Sequence, residues 1–356
     1  MKICFIVGAF PNMKCGIGDY TSKLAKELVS MGNVVSVITS ENASYFSDTN
    51  MEVHNIIRNW NFRSLKILIN KIKQIQPDVV NIQLPSAEYK KSLMINFLPF
   101  FIKAVCKCKI IETVHEYTIF TILGRIRNWI SFIKADEIIV VEKEYIKEIG
   151  KIYKKKKVTY IPIASNIQQS KINEGQKIEI RKKLKAENVK LISYFGFVNQ
   201  TKGIEDLLYA FKEIPNAKLL LIGSLDKDNE YQNSIIELAK KIGINNNIIV
   251  TGFIKEKLVA DYLKCSDVCV LPFKTGVAKR NGSFLAAFNQ NIPVVTTTRN
   301  EPYIDRAVYY ARICDKDQLI NYIKMAIENK EKICRKIITW DSIAKKYQEV
   351  FEGLKR

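Results

Sequence analysis

The sequence predicts an α/β protein made of two doubly wound, Rossmann-like domains. Short runs rich in Ile and Val alternate with longer segments of helical apolar spacing, which is the rhythm of parallel βα units. That rhythm stops once and restarts. Each of the two series opens on a strand followed by a loop that contains glycine.

In the first series the strand candidates are Ile3–Gly8, Val34–Thr39, Val53–Ile57, Val79–Gln83, Lys109–Val114, Glu137–Val141 and Val158–Ile161. They read as continuous apolar runs, as strands covered on both faces do. Leu65, Leu68, Ile69, Ile72 and Ile75 repeat at helical spacing between the third and fourth. The stretch Ile161–Asn166 and the polar segment after it to Glu179 read as a linker. The second series offers Leu191–Gly196, Lys218–Gly223, Asn247–Gly252, Asp267–Leu271, Pro293–Thr297 and Val308–Ala311. The predicted division is residues 1–168, residues 169–338 and a last helix in 339–356. That helix carries Ile343, Tyr347, Val350, Phe351 and Leu354 on one face. The apolar segment Leu93–Val105 reads as a helix buried against the first sheet, or as one that dips into a membrane surface beside basic residues.

At 356 residues, with 47% hydrophobic and 26% charged residues, the chain can bury two cores and is not a disordered polymer. No apolar run reaches the roughly 18 residues that span a bilayer, and the first apolar run meets Gly8 without a cleavage site. A cytoplasmic protein is expected, at most peripheral on the inner face of the membrane. The eight cysteines sit within apparent strands and helices. Cys106 and Cys108 form a lone C-x-C, and with only His54 and His115 beside them neither a disulfide framework nor a metal site is expected. The net charge is +20; 24 basic and 14 acidic residues precede position 170, so each half carries +10. The densest run is Lys154–Lys157. This balance favours anionic partners (phosphorylated substrates, nucleic acid or an anionic membrane), with a lysine-rich solvated surface as the plain alternative. No aromatic–basic recognition motif or helix-turn-helix accompanies it, so nucleic acid is not expected.

After the first strand, Gly16 and Gly18 fall where the next helix opens, with the helix body from Thr21 to about Met31. Glycines at a helix N-terminus let backbone N–H groups approach a phosphate. The dehydrogenase fingerprint fails, because its first glycine should follow the strand directly and its third should stand at Thr21. Turn glycines remain the alternative.

An ordered set of segments resembles the family 4 glycosyltransferases, retaining enzymes of the GT-B fold. It comprises GIGDYTSKLAKELVSMGNVVSVIT from Gly16, TVHE at Thr113–Glu116, IPIASN at Ile161–Asn166, FGFVNQTKGIEDLLYAF at Phe195–Phe211, and LLLIGS at Leu219–Ser224. VTGFIKEKLVADYLKCSDVCVLPF at Val250–Phe273, RNGSFLAAFNQNIPVVTT from Arg280 and TWDSIAKKYQEVF from Thr339 complete it. The resemblance implies two Rossmann-like domains facing each other across a cleft. The first would bind the acceptor and the second the nucleoside-diphosphate sugar, with the last helix crossing back to the first. It implies no metal and no cofactor. By the same resemblance Lys202, Gly282 and Ser283 hold the donor diphosphate, joined by Gly16 and Gly18. His115 meets the donor sugar, Gly223 and Phe253 line the nucleobase pocket, and Asp19 and Tyr20 lie on the acceptor side. The acceptor would be a glycan or a lipid-linked glycan of bacterial surface polysaccharide or glycolipid synthesis.

Three departures qualify the resemblance. Where the family often carries two glutamates, this chain has Ala278 and Ala286, and where a basic residue is usual it has Phe197. Arg280-Asn281-Gly282-Ser283 resembles a subset that replaces the glutamates with an arginine and Gly-Ser. Arg280 would then supply the charge that Phe197 cannot. The same departures leave open a non-catalytic nucleotide-sugar-binding or scaffold protein.

Overall fold

The structure is a computed structural model, and it describes residues 1–13, 15–44, 51–90, 92–117, 122–151, 157–278 and 280–354. Lys154, Lys155 and Lys156 of the lysine run lie outside the described residues. The chain divides into two compact units, Met1–Ala164 with Ile338–Arg356, and Ser165–Ile337.

Unit 1 contains β1 (Lys2–Ile6), β2 (Val34–Ser40), β3 (Met51–Ile57), β4 (Val79–Leu84), β5 (Lys109–Val114), β6 (Glu137–Val140) and β7 (Lys157–Tyr160). They form one parallel sheet in the order β3-β2-β1-β4-β5-β6-β7. The helices are α1 (Gly16–Ser30), α2 (Leu65–Ile75), α3 (Met94–Val105), α4 (Ile122–Lys134) and α5 (Lys143–Gly150). Alternation along β1 sends Ile3 and Phe5 to one face and Cys4 and Ile6 to the other. Leu68, Ile72, Leu98, Ile102 and Phe132 of α2, α3 and α4 close over the second face.

Unit 2 runs α6 (Glu174–Lys183), β8 (Lys190–Phe195), α7 (Ile204–Lys212), β9 (Ala217–Ile222), α8 (Glu230–Lys241), β10 (Ile248–Val250) and α9 (Glu256–Cys265). It continues through β11 (Val268–Leu271), α10 (Gly282–Asn289), β12 (Val294–Thr298), β13 (Tyr303–Asp305), β14 (Val308–Arg312) and α11 (Lys316–Glu328). The sheet order is β10-β9-β8-β11-β12-β14-β13, parallel except for the β13 edge. In both sheets the first strand of the unit lies inside the sheet, third of the seven strands. The connections wind outward on one side of it, then jump to the other.

The last helix, α12 (Trp340–Gly353), belongs to unit 1. Ile343, Tyr347 and Phe351 are buried with Leu24 and Leu28 of α1 against the Ile3–Phe5 face. Burial of such a side chain contributes roughly 1.5–3 kcal/mol, so α12 is a structural part of unit 1.

Three sequence expectations change. Residues 165–170 belong to unit 2: Ile167 is in its core, the Ser170 N–H donates to Gln290 Oε1 at 2.8 Å, and the Ser170 hydroxyl donates to Asp261 Oδ1 at 2.5 Å. The boundary therefore falls at Ala164/Ser165 and not after 168. The polar stretch to Glu179 is not all linker. Asn173 and Gln176 form a reciprocal capping box that starts α6, and Arg181 of α6 bonds Asp267 at 3.1 Å. Finally, α1 starts at Gly16, so the two glycines stand in its first turn and not before it. The β13 edge has no sequence signal: Tyr303, Ile304 and Asp305 are all exposed, and it is held by antiparallel pairing with β14 and by Tyr303 stacking on Tyr310 at 4.1 Å.

Candidate functional site

Doubly wound sheets bind ligands beyond the carboxyl ends of the strands, where the winding direction reverses. In unit 1 that point lies between β1 and β4, and in unit 2 between β8 and β11. Gly16, Gly18, His115, Lys202, Gly223 and Ser283 follow strands at or next to these points, whereas Phe253 follows β10 at the sheet edge.

In unit 1 the loop after β1 leads to α1. Cys15 precedes the helix and makes no side-chain cap, and the first helical bond runs from the Asp19 N–H to the Cys15 carbonyl at 3.0 Å. The N–H groups of Gly16, Ile17 and Gly18 precede that ladder, at the positive end of a 15-residue helix. Gly18 is required by packing, since a Cβ there would stand 2.7 Å from the Ala9 carbonyl oxygen. Gly16 is exposed with open space around it. Asp19 is half-buried in the first turn.

His115 follows β5 and is buried. Its Nε2 lies 2.8 Å from Gln83 Oε1 of β4. That oxygen only accepts, so His115 Nε2 carries a proton and donates. Gln83 in turn donates from Nε2 to Asn81 Oδ1 at 2.5 Å, and the Thr113 hydroxyl donates to the same oxygen at 3.1 Å. With its hydrogen so used, Thr113 Oγ1 accepts from Tyr347 OH of α12 at 3.1 Å, and Tyr20 OH donates to Tyr347 OH at 3.0 Å. The Tyr20 ring packs edge-on against the His115 ring at 4.6 Å. Burial raises the Tyr20 hydroxyl pKa well above the usual tyrosine range and pushes that of Tyr347 up to about 12. Both stay neutral donors. A continuous buried chain thus links α1 and α12 to the imidazole and fixes its tautomer and plane.

Tyr20 therefore does not stand on an acceptor-facing surface. It is 2% exposed and supports His115 from behind. Gln83, Asn81, Thr113 and Tyr347 carry no site role in the sequence reading. Asn81 and Gln83 alternate within the apolar run VVNIQL, so two amides share one buried face of a strand, a signal that period-2 reading exposes.

In unit 2 the loop after β8 contains Gly196 and ends in a short turn at Gln200–Lys202, with Gly203 at φ +67° starting α7. A Cβ on Gly203 would collide with the Pro272 carbonyl of the loop after β11, so these two loops touch. Lys202 Nζ lies 4.8 Å from the centroid of the buried Phe273 ring, and desolvation holds its pKa below the usual lysine value. Asn281 caps α10 by accepting the Phe284 N–H at 3.1 Å, which leaves the N–H groups of Gly282 and Ser283 ahead of the helical ladder. Ser283 faces Gly196: a Cβ on that glycine, at φ +136°, would stand 2.6 Å from Ser283 Oγ. Gly223, after β9, approaches the Gly196 carbonyl so closely that a Cβ would be 2.7 Å from it. The structure thus gathers Gly196, Gly223 and Ser283 at adjoining strand ends, with Lys202 on the loop that begins at Gly196. Arg280 is half-buried one residue before the Asn281 cap.

Phe253 follows β10, and the neighbouring Thr251 Oγ1 accepts the Gly223 N–H at 3.2 Å. Its ring is 88% exposed. Phe197 is exposed as well, and Ala286 is fully buried in α10. His54 lies apart in β3, 3.4 Å from Glu52. Among the described residues no group of three or more His, Cys, Asp or Glu is placed to hold a metal.

Residues 176–339 match the family model described as glycosyl transferases group 1. An uncharacterized glycosyltransferase of Methanocaldococcus jannaschii is 27% identical over 169 residues, 46% of this chain and 40% of that protein. The chain thus spans about two fifths of the length of this curated relative. Among solved structures, a glycosyltransferase from Rickettsia africae has a TM-score of 0.78 at 15% identity, covering 100% of this chain and 98% of the other. Sucrose-phosphate synthase from Thermosynechococcus elongatus has a TM-score of 0.73 at 16% identity, with 99% of each chain covered. Anabaena HepE, solved in complex with UDP and glucose, has a TM-score of 0.69 at 16% identity and covers 100% and 99%. At these identities the structures bear on the fold. Residues 176–339 thus resemble the glycosyl transferases group 1 family, in a chain whose two Rossmann-like domains have the fold of the GT-B glycosyltransferases.

Proposed function

We propose that the chain is a metal-independent, retaining glycosyltransferase of the family 4 type that uses a nucleoside-diphosphate sugar. The observation that carries this reading is the pair of touching loops in unit 2. They set a desolvated Lys202 ammonium on one side of the switch point and the open N-terminus of α10 at Gly282 and Ser283 on the other. This is a cradle for a diphosphate: a half-buried cation and oriented N–H donors gain strength as water is excluded.

In the reaction the bond from the anomeric carbon to the diphosphate oxygen breaks, and the acceptor hydroxyl oxygen bonds the same carbon on the same face. The hydroxyl proton passes to the departing phosphate. Charge accumulates on the diphosphate as that bond breaks, and Lys202, Arg280 and the α10 N–H groups stabilise it. At the start of α1, Gly16 and Gly18 offer N–H donors to a phosphate. His115 hydrogen-bonds the donor sugar, with its tautomer set by Gln83. Gly223 and the exposed Phe253 hold the nucleobase, and Asp19 serves the acceptor, a glycan or lipid-linked glycan. Support comes from the group 1 match over residues 176–339 and from the UDP complex of HepE, a protein of the same fold.

The test is a screen of UDP-, GDP-, ADP- and dTDP-sugars by thermal shift, followed by donor hydrolysis and transfer to sugar acceptors. A preferred donor that raises the melting temperature and is turned over with the anomeric configuration kept supports the reading. Inversion of configuration, or loss of turnover on metal chelation, refutes the corresponding part. Arg280→Ala should cut turnover and donor affinity; unchanged values of both remove Arg280 from the site. Ala278 and Ala286, which offer no carboxylate to the sugar or ribose, favour a second reading as a nucleotide-sugar-binding protein without turnover. Tight donor binding with no hydrolysis or transfer would establish that one.

A further inference from the structure

Glycosyl transfer leaves one surface of unit 1 without a purpose. Helices that cover a sheet normally turn a polar face outward. Yet around α2, α3 and α4, Phe62, Ile67, Leu93, Phe101, Val105, Ile126 and Ile133 are exposed. The exposed rings adjoin half-buried ones: the Phe62 ring lies 6.5 Å from both Phe101 and the half-buried Phe97, and Phe97 lies 6.1 Å from the half-buried Phe100. A shallow groove of about 340 Å³ runs among Phe62, Leu65, Ile69, Phe101 and Val105, and Lys66 lines it too.

The charge on these helices has a single sign. The three segments contain Lys66, Lys71, Lys73, Lys103, Arg125, Arg127 and Lys134, and no Asp or Glu. Three of the seven are engaged within the fold: Lys103 with Asp136 at 2.6 Å, Arg125 with Glu148 at 3.7 Å, and Arg127 with the Ser92 carbonyl at 2.7 Å. Lys66, Lys73 and Lys134 are exposed, and Lys134 Nζ lies 5.5 Å from the Phe100 ring.

This combination selects its occupant. A second copy of the chain would oppose like charges across the contact. Protein interfaces deplete lysine relative to the rest of the surface, whereas here a lysine lines the apolar groove itself. A bilayer accepts both components, because aromatic rings enter the acyl boundary while ammonium groups meet lipid phosphates. No helix among the described residues is long and apolar enough to cross a membrane, so the contact lies on the surface. We propose that the α2–α3–α4 face docks unit 1 on an anionic lipid leaflet, with Phe62, Phe101 and Val105 inserted and Lys66, Lys73 and Lys134 at the headgroups.

The test is co-sedimentation of the full chain with vesicles of phosphatidylcholine alone, or of phosphatidylcholine and phosphatidylglycerol in equal amounts. It needs neither sugar donor nor acceptor, so its outcome is independent of the proposed activity. Binding is expected only to the anionic vesicles and should weaken with salt. Phe62→Ser with Phe101→Ser should lower partitioning roughly tenfold. Lys66→Glu with Lys73→Glu should lower it by tenfold or more, at roughly fivefold per lost cation. All four positions are exposed, so the melting temperature should hold. The proposal is overturned if the wild type stays in the supernatant, or if both double variants partition like it. It is also overturned if ultracentrifugation shows a dimer that the phenylalanine variant splits, which would mark a contact between copies.

Discussion

Lys202→Met removes an ammonium while keeping an unbranched side chain that can still lie over Phe273. In the ligand-free protein that ammonium sits 4.8 Å from the ring centroid, partly stripped of water, and its pKa is lowered by that desolvation alone. Cation–π attraction of about 0.5–2 kcal/mol offsets part of the cost. A diphosphate would offset far more, since a charge-assisted hydrogen bond is worth about 1.5–3 kcal/mol. The variant should therefore bind its preferred nucleoside diphosphate roughly ten- to a hundredfold more weakly, with affinity for the parent nucleoside unchanged. Calorimetry on both ligands reads the difference.

The pH dependence has a definite sign. The folded pKa lies below the unfolded one, so over the interval between them the unfolded chain binds more protons and this residue's contribution to stability rises with pH. The cost is fully present at neutral pH and is relieved in alkali. The ligand-free variant should thus melt no lower than the wild type at neutral pH and should lack that alkaline gain. Diphosphate affinity of the wild type should fall as pH rises through the lowered lysine pKa, while that of the variant stays level. Equal losses for nucleoside and diphosphate would refute the reasoning, because Lys202 would then be supporting the loop and not the anion.

Three further pairs of substitutions test the frame around the site. Tyr347→Phe strands the buried Tyr20 donor and should cost about 1–3 kcal/mol in urea unfolding, more than Tyr20→Phe, after which Tyr347 still donates to Thr113. A double-mutant cycle should show coupling of about 1 kcal/mol; strictly additive losses would mean the hydroxyls act separately. Gly18→Ala pushes a Cβ onto the Ala9 carbonyl and should lower stability by about 1–3 kcal/mol, whereas Gly16→Ala meets open space and should leave the melting temperature in place. Lost donor affinity in Gly16→Ala would then report a ligand against the helix end, and unchanged affinity would dismiss it. Gly196→Ala combines a left-handed φ with a clash on Ser283 Oγ, for about 1–3 kcal/mol of strain. Ser283→Ala should restore part of that loss, and no restoration would assign it all to the backbone.

The fold is legible in the sequence where burial on both faces writes a continuous apolar run. Thus β5 spans Lys109–Val114, the same residues the pattern marks. Legibility fails where other forces shape the chain. The β13 edge is held by its antiparallel pairing with β14 and one tyrosine stack, and is exposed along its length, so no apolar run announces it. The stretch after Asn166 looks like linker because α6 buries none of its residues fully. Its stability comes from the Asn173–Gln176 box and the Arg181–Asp267 pair, and the latter depends on a partner 86 residues away.

The site follows the same division. Glycines and a lysine in loops keep a signature, since Gly203 and Gly196 answer to backbone conformations and close approaches that few other residues tolerate. The support of His115 keeps none of this kind. Tyr20 looks like a surface residue because it follows Asp19 in a polar turn, yet its fate is set by Tyr347, 327 positions on. A hydrogen-bonded chain through Asn81, Gln83 and Thr113 becomes visible only once two strands and two helices are in register. What the sequence does show is the anomaly: two amides facing the same side of a buried strand. Such groups are costly without partners, so their presence in β4 already requires a polar network beside β5, where His115 begins its loop.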